Sequence, residues 1–315
     1  MLKKTDKILI AGQEGMVGSA IYNLLKRKKY KIIECRRKYL DFTNYHKVSL
    51  FFKKKKPNIL INAAGKVGGI LDNATYPIDY LNKNILMGLN IINLSYKYKI
   101  KKVINLGSAC IYPKITKLPI KEEYLLSSYL EKTNEGYALA KIITLKLCEY
   151  YKKMKRKNFI SIQPCNLYGE NDNYDLKSSH VIPALIRKFY EAKINKKSKV
   201  IIWGAGKNKR EFMHVNDLAD AIFFLLKKNS KESFLNVGTN QEITIKDLAN
   251  KIKKISGFKG KILFDKNKPI GQLRRVLDST KLKKMGWKNK ISLNEGLTKV
   301  FNNFVKKNKL AHSIL

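Results

Sequence analysis

Carbonyl chemistry needs a proton donor, a cation beside it and a hydroxyl to hold the carbonyl oxygen. Tyr137-Ala138-Leu139-Ala140-Lys141 offers the first two, spaced i and i+4. On a helix that spacing puts both side chains on one face. A free tyrosine titrates near about pH 10, and a neighbouring ammonium favours its phenolate. Tyr137 can then exchange a proton with a carbonyl oxygen while a hydride moves to the carbon. Ser108 follows an apolar run in Leu106-Gly107-Ser108, where it can hydrogen-bond the same oxygen. Tyr-x-x-x-Lys by itself arises by chance. The weight lies in serine, tyrosine and lysine following, in order, a loop that suits a hydride carrier.

That loop is Gly12-Gln13-Glu14-Gly15-Met16-Val17-Gly18, between a first strand and a first helix. G-x-x-G-x-x-G permits a tight turn, close approach to a pyrophosphate and close helix packing, with the helix N-terminus meeting the phosphate charge. Small residues in Asn62-Ala63-Ala64-Gly65 leave room for adenosine and ribose at the end of a third strand. The second strand ends in Ile33-Glu34-Cys35-Arg36-Arg37. An acid there holds a ribose 2′-hydroxyl, whereas arginine pairs with a 2′-phosphate. Arg36 and Arg37 favour NADP, Glu14 and Glu34 argue against it, and NADP(H) is the expected cofactor with NAD(H) left open.

These residues need a frame. Strands are expected at Lys7–Ala11, Tyr30–Glu34, Asn58–Asn62, Lys102–Leu106 and Phe159–Gln163. Helices are expected at Met16–Lys28, Asn44–Lys55, Pro77–Tyr98 and Glu135–Lys153. The alternation predicts an α/β fold, a doubly wound parallel Rossmann sheet. After about Asn171 the pattern becomes mixed. Helices Val181–Lys193 and Asn216–Lys227, strands Lys199–Trp203, Arg210–His214 and Phe234–Val237, and a helix from Thr244 precede two closing segments, Asp278–Trp287 and Ser292–Lys307. The expected organisation is a dinucleotide domain over 1–170, with returns from about 210–240, and a smaller mixed α/β substrate lobe over 171–315.

Bulk properties set limits. The chain has 315 residues, 44% hydrophobic, enough for a large core. No apolar run approaches the ~18 residues of a membrane helix. Ile8-Leu9-Ile10 is too short for a signal-peptide core, so a cytoplasmic protein is expected. Cys35, Cys110, Cys148 and Cys165 form no C-x-x-C pair, and His46, His180, His214 and His312 lack zinc-ligand spacing; no metal is expected. A net charge of +41 raises a nucleic-acid partner as a possibility. Lysine outnumbers arginine and is spread from end to end, so the charge reads as solvated surface that attracts anionic substrates. A non-catalytic dinucleotide-binding protein with a nucleic-acid surface is the alternative of another class, and the intact Ser108, Tyr137 and Lys141 set argues against it.

Further stretches carry a resemblance. They include Gly15-Met16-Val17-Gly18-Ser19-Ala20-Ile21, Lys66-Val67-Gly68-Gly69-Ile70, Cys110-Ile111-Tyr112-Pro113, Asn166-Leu167-Tyr168-Gly169, Ser179-His180-Val181-Ile182-Pro183 and Arg210-Glu211-Phe212. Over about Lys7 to Lys306 the chain resembles the GDP-L-fucose synthase family of extended short-chain dehydrogenases. The resemblance implies 3,5-epimerisation of GDP-4-keto-6-deoxy-D-mannose and NADPH-dependent reduction at C4 in one site. It assigns the epimerising proton transfers to Cys110 and His180. Beside Ala63, already placed there by its small size, it extends the cofactor contacts from the glycine loop to Leu106, Gly107, Ser108, Ala109, Lys141, Pro164, Cys165, Asn166, Leu167 and His180. It gives Lys188, Trp203, Arg210 and Asp278 to the GDP-sugar, and it implies a homodimer. Glu14 stands where the family commonly has a basic residue, Lys188 where it has arginine with Arg187 adjacent, and Ile270 where it has aspartate. These departures admit a related nucleotide sugar such as a GDP-heptose. A dehydratase of the same superfamily commonly sets an Asp-Glu pair beside the catalytic hydroxyl, where this chain has Ala109 and Cys110.

Overall fold

Ile8, Leu9 and Ile10 are each fully buried, and the same holds for Leu60, Ile61, Val103 and Ile104. Runs this apolar suit strands covered on both faces, which is the setting of a parallel sheet. In the computed structural model, which describes residues 2–268 and 271–312, they form its centre. Ile270 lies outside the described residues.

The strands, in chain order, are β1 (Lys7–Ala11), β2 (Lys31–Ile33), β3 (Ile59–Asn62), β4 (Lys102–Leu106), β5 (Asn158–Pro164), β6 (Asn166–Tyr168), β7 (Lys199–Trp203), β8 (Lys209–His214), β9 (Phe234–Val237), β10 (Glu242–Thr244), β11 (Lys261–Asp265) and β12 (Arg274–Arg275). The helices are α1 (Met16–Arg27), α2 (Tyr45–Lys55), α3 (Ile70–Thr75), α4 (Pro77–Lys97), α5 (Glu135–Lys155), α6 (Val181–Ile194), α7 (Val215–Lys227), α8 (Ile245–Ser256), α9 (Thr280–Lys284) and α10 (Leu293–His312). The main sheet has six parallel strands in the order β2-β1-β3-β4-β5-β9. Helices cover both faces, giving a doubly wound Rossmann-type sheet. From β1 the chain passes to β2 on one side and then to β3 on the other. The crevice at that reversal, beyond the carboxyl ends of β1 and β3, is where such sheets bind ligands.

A second core gathers α6, α8, α10 and β7 around Tyr168, Leu185, Phe189, Leu248 and Phe301. β7 alternates exposed and buried residues, as a strand covered on one face should, and pairs in parallel with β11. β8 is flanked by antiparallel β10 and parallel β12, and β6 also pairs with it. The expected strands Lys7–Ala11, Lys102–Leu106, Lys199–Trp203 and Phe234–Val237 match residue for residue. The expected second strand shrinks to Lys31–Ile33. α3, β6, β10, β11 and β12 were not foreseen. All but β11 are short, and each strand among them exists through a tertiary partner rather than through its own pattern.

Some helix starts are capped by a side chain and others are not. Asn44 caps α2 through the Lys47 N–H, and Thr244 caps α8 through the Asp247 N–H, at 3.0 Å each. Gly15 before α1 and His180 before α6 make no such side-chain bond. Both ends border the cleft described next.

Candidate active site

β4 ends at Leu106, and the chain turns sharply into Ser108. Gln163 of β5, fully buried, accepts the Ser108 N–H at 2.9 Å and so ties the turn to the neighbouring strand. Ser108 is extended, and its Oγ accepts the Cys110 N–H at 3.1 Å. That bond uses the oxygen as acceptor and leaves the hydroxyl proton for another oxygen. α5 brings up the other two residues. Lys141, 8% exposed, donates Nζ to the Leu106 carbonyl at 3.0 Å and stands 5.7 Å from the Tyr137 ring centre. One lysine thus locks α5 to the end of β4 and sets the distance between tyrosine and serine.

The electrostatics differ from the sequence expectation. Burial pushes Tyr137 well above the ordinary tyrosine range, Cys110 adds to this, and a Ser108 hydrogen bond opposes it. Burial also brings Lys141 down to about 8. The expected downward pull of the ammonium on the phenol is outweighed, because both groups are desolvated together and Nζ is turned onto a carbonyl. Tyr137 is therefore held in the protonated form that donates to a ketone oxygen.

The dinucleotide crevice opens at the loop after β1. Gly12 has φ +80°, and a Cβ there would lie 2.7 Å from the Ala63 carbonyl oxygen; a Cβ on Gly18 would lie 2.0 Å from that of Gly12. Only glycine fits a loop pressed this tightly against β3 and α1. The uncapped α1 N-terminus faces this turn, and no acidic residue sits in its first turn, so its N–H groups suit a diphosphate. Gln13, Glu14, Arg36 and Arg37, expected at the ribose end, lie between this loop and the end of β2. The Arg37 N–H donates to Glu14 at 2.8 Å, and both arginines are exposed. Pro164 to Leu167 link β5 to β6. Within that link the Cys165 side chain is buried in the main core, so backbone and the Asn166 and Leu167 side chains are what it can offer a cofactor.

Cys110 stands two residues past Ser108 in a short 3-10 turn, Ala109–Ile111. Its Sγ accepts from Arg275 Nη1 at 3.3 Å, and Arg275 Nε donates to Gln272 Oε1 at 2.6 Å. β12 places Arg275 in register with Arg210 of β8. Burial brings Arg210 down to about 10, the neighbouring Arg275 adds to the shift, and Cys110 opposes it. Two guanidinium groups therefore converge near one thiol. Arg275 was missed from the sequence because only strand pairing brings it here.

His180 comes from the start of α6. It remains open to solvent through the cleft, yet enough protein surrounds it that desolvation lowers its affinity for a proton. The preceding loop is held by the Lys66–Ile70 segment. The Gly69 N–H donates to the Ser178 carbonyl at 2.8 Å, and a Cβ on Gly69 would lie 2.8 Å from the Ser179 carbonyl oxygen. Asn84 anchors that segment in turn, bonding both the N–H and the carbonyl of Lys66 at 2.9 and 3.1 Å.

The residues expected to meet substrate divide. Trp203 is 40% exposed at the end of β7, with Lys188 Nζ 5.8 Å from its ring centre and bonded to the Ile201 carbonyl. Arg187 does not stand in for Lys188, since it pairs with Glu191 at 2.6 Å. Asp278 caps the Thr280 N–H at 2.8 Å, while its own backbone binds Ile120 and Asn236. No described contact joins it to Trp203 or Arg210.

Residues 8–238 match the model of the NAD dependent epimerase/dehydratase family. A GDP-L-fucose synthase of Sinorhizobium fredii is 47% identical over 299 residues, covering 95% of each chain. A putative GDP-L-fucose synthase of Arabidopsis thaliana is 46% identical over 302 residues, covering 96% of this chain and 92% of the relative. Among solved structures, a GDP-mannoheptose C4 reductase from Campylobacter jejuni with NADP bound superposes with a TM-score of 0.88 at 33% identity, covering 97% of this chain and 100% of that one.

Proposed function

The chain belongs to the NAD dependent epimerase/dehydratase family, and within it we propose a GDP-L-fucose synthase, which epimerises GDP-4-keto-6-deoxy-D-mannose at C3 and C5 and reduces C4 with NADPH. The observation that carries this reading is a thiol beside a reducing pair. Cys110, gripped by Arg275, adjoins the Ser108 hydroxyl and the protonated Tyr137.

The crevice fits a dinucleotide, as the Gly12 approach to Ala63 and the uncapped α1 N-terminus indicate. When bound, NADPH supplies the hydride for C4. Everything else falls to the chain. A proton next to a ketone is acidic because its loss gives an enolate. Ser108 and Tyr137 donate hydrogen bonds to the enolate oxygen, where charge develops. Cys110 and His180 serve the two faces of the sugar, one removing the proton and the other returning one on the opposite side. The lowered proton affinity of His180 leaves its imidazole neutral near pH 7. In the reductive step Tyr137 gives its proton to the C4 oxygen, and Lys141 holds the ribose and keeps α5 in place. Arg275 fixes the Cys110 sulfur, and Arg210, Lys188 and Trp203 form the surface for the GDP moiety.

Exposed Leu139, Ile143, Tyr150 and Met154 run along α5 at helical spacing, and α4, packed beside it, exposes Ile78 and Leu86. This apolar face supports a homodimer. Ile143→Glu is expected to convert a dimer into a monomer by sedimentation, and a wild-type monomer refutes the assignment. The free thiols of Cys35, Cys110, Cys148 and Cys165 support a cytoplasmic setting.

The deciding assay supplies GDP-4-keto-6-deoxy-D-mannose and NADPH to the purified protein. NADPH oxidation with formation of GDP-L-fucose, identified by NMR, is expected. A reduced sugar with C3 and C5 unchanged, or no oxidation, overturns the reading.

A further inference from the structure

Two consecutive side chains tie the glycine loop to the end of β2. Gln13, 8% exposed, donates to Glu34 at 3.0 Å and accepts the Cys35 N–H at 3.3 Å. Glu14 accepts the Arg37 N–H at 2.8 Å. The two acids of this region thereby acquire different tasks. Glu34 is taken up by Gln13 and by the Tyr22 hydroxyl of α1, at 2.8 Å. Those two bonds, with Arg36 also nearby, hold its carboxyl below the usual range. Glu34 is thus a brace between β2, the loop and α1. Glu14 has no side-chain partner among the described residues, and its one hydrogen bond is to backbone.

The position of that bond matters. The turn after β2 is where this fold meets the ribose 2′-substituent. A backbone N–H flanked by two arginines suits a phosphate. Here the chain's own carboxylate sits on it.

We propose that Glu14 is a specificity-determining residue, whose carboxylate occupies the anion position at the ribose end of the crevice and holds down the preference for a 2′-phosphorylated dinucleotide over an unphosphorylated one. The inference rests on the dinucleotide-binding reading above. To bind, NADP must displace Glu14 from the Arg37 N–H or set its phosphate beside a like charge. NAD, with a neutral hydroxyl, does neither. Arg36 and Arg37 outnumber Glu14, so NADP still binds, and the chain uses NADPH while retaining affinity for NADH. Glu14 is exposed, so a phosphate of nearly two charges at about 6 Å is screened almost as in bulk water, which makes this worth roughly tenfold in affinity.

The test is calorimetric titration of the full-length protein with NADP+ and with NAD+, for wild type and Glu14→Gln. Glutamine keeps an acceptor for the Arg37 N–H, so the loop retains its anchor. The variant is expected to bind NADP+ roughly tenfold more tightly, with NAD+ changed by less than about twofold, and the gain should shrink as salt rises. Glu14→Lys should move NADP+ further in the same direction. Unchanged NADP+ affinity in both variants, or equal tightening of both dinucleotides, overturns the proposal while leaving dinucleotide binding intact. Failure of the wild type to bind either dinucleotide overturns the underlying reading as well.

Discussion

Gly69→Ala tests how His180 is held. The backbone of Gly69 is ordinary, with φ −69° and ψ 178°, so the glycine is not there for conformational freedom. It is there because the Ser179 carbonyl oxygen would lie 2.8 Å from a Cβ, against 3.4 Å for the near edge of ordinary contact. One of the two loops must therefore move by about 0.6 Å. Neither moves easily. The Lys66 segment is pinned by Asn84 and by Lys66–Asp79 at 3.1 Å, and the Ser178 carbonyl already accepts from the Gly69 N–H. A misplacement of about 1 Å in a reacting group costs on the order of a hundredfold in rate. A shift of roughly half that size should slow the His180 step about tenfold. Ser108, Tyr137 and Lys141 hang from β4 and α5, outside the strained contact. The assay separates the two halves of the reaction. With NADP+ in D2O no reduction occurs, and deuterium entering C3 and C5 of the 4-keto sugar reports epimerisation alone. Exchange should fall roughly tenfold, with a thermal transition close to wild type. Full-rate exchange by a folded variant would refute the claim that this contact positions His180.

Other outcomes follow from the same geometry. Tyr137→Phe removes the proton donor and should reduce C4 reduction by roughly a hundredfold or more, measured as NADPH oxidation, while some deuterium exchange persists through Ser108. Lys141, brought down to about 8 by burial, is an ammonium below that pH and loses its proton above it. Reductive turnover should therefore decline as pH rises through about 8, and a profile flat to the ordinary lysine range argues against the assigned role. Desolvation lowers His180, so exchange should survive acidification through the usual histidine range before it fails; loss at or above that range counts against a neutral His180.

Much of this protein was legible from local pattern. Lys7–Ala11 and Lys102–Leu106 are recognisable because a strand buried on both faces must be apolar throughout. The Gly12–Gly18 turn and the Tyr137–Lys141 pair are recognisable because their spacing sets their geometry. The two-residue β12 has no pattern to read. It exists because Arg274 and Arg275 pair with Lys209 and Arg210. That pairing, between residues distant in sequence, brings Arg275 onto Cys110, and the Asp278 cap on Thr280 is likewise set by the fold. Desolvation was likewise invisible. The sequence placed an ammonium near a phenol and argued the phenol down, and only the packing of α5 against β4 showed burial driving Tyr137 up. Short-range spacing therefore determined which groups could react, and tertiary packing decided which carry a proton, which are braced by neighbours, and that Glu34 is taken up by Gln13 and Tyr22 while Glu14 accepts the Arg37 N–H.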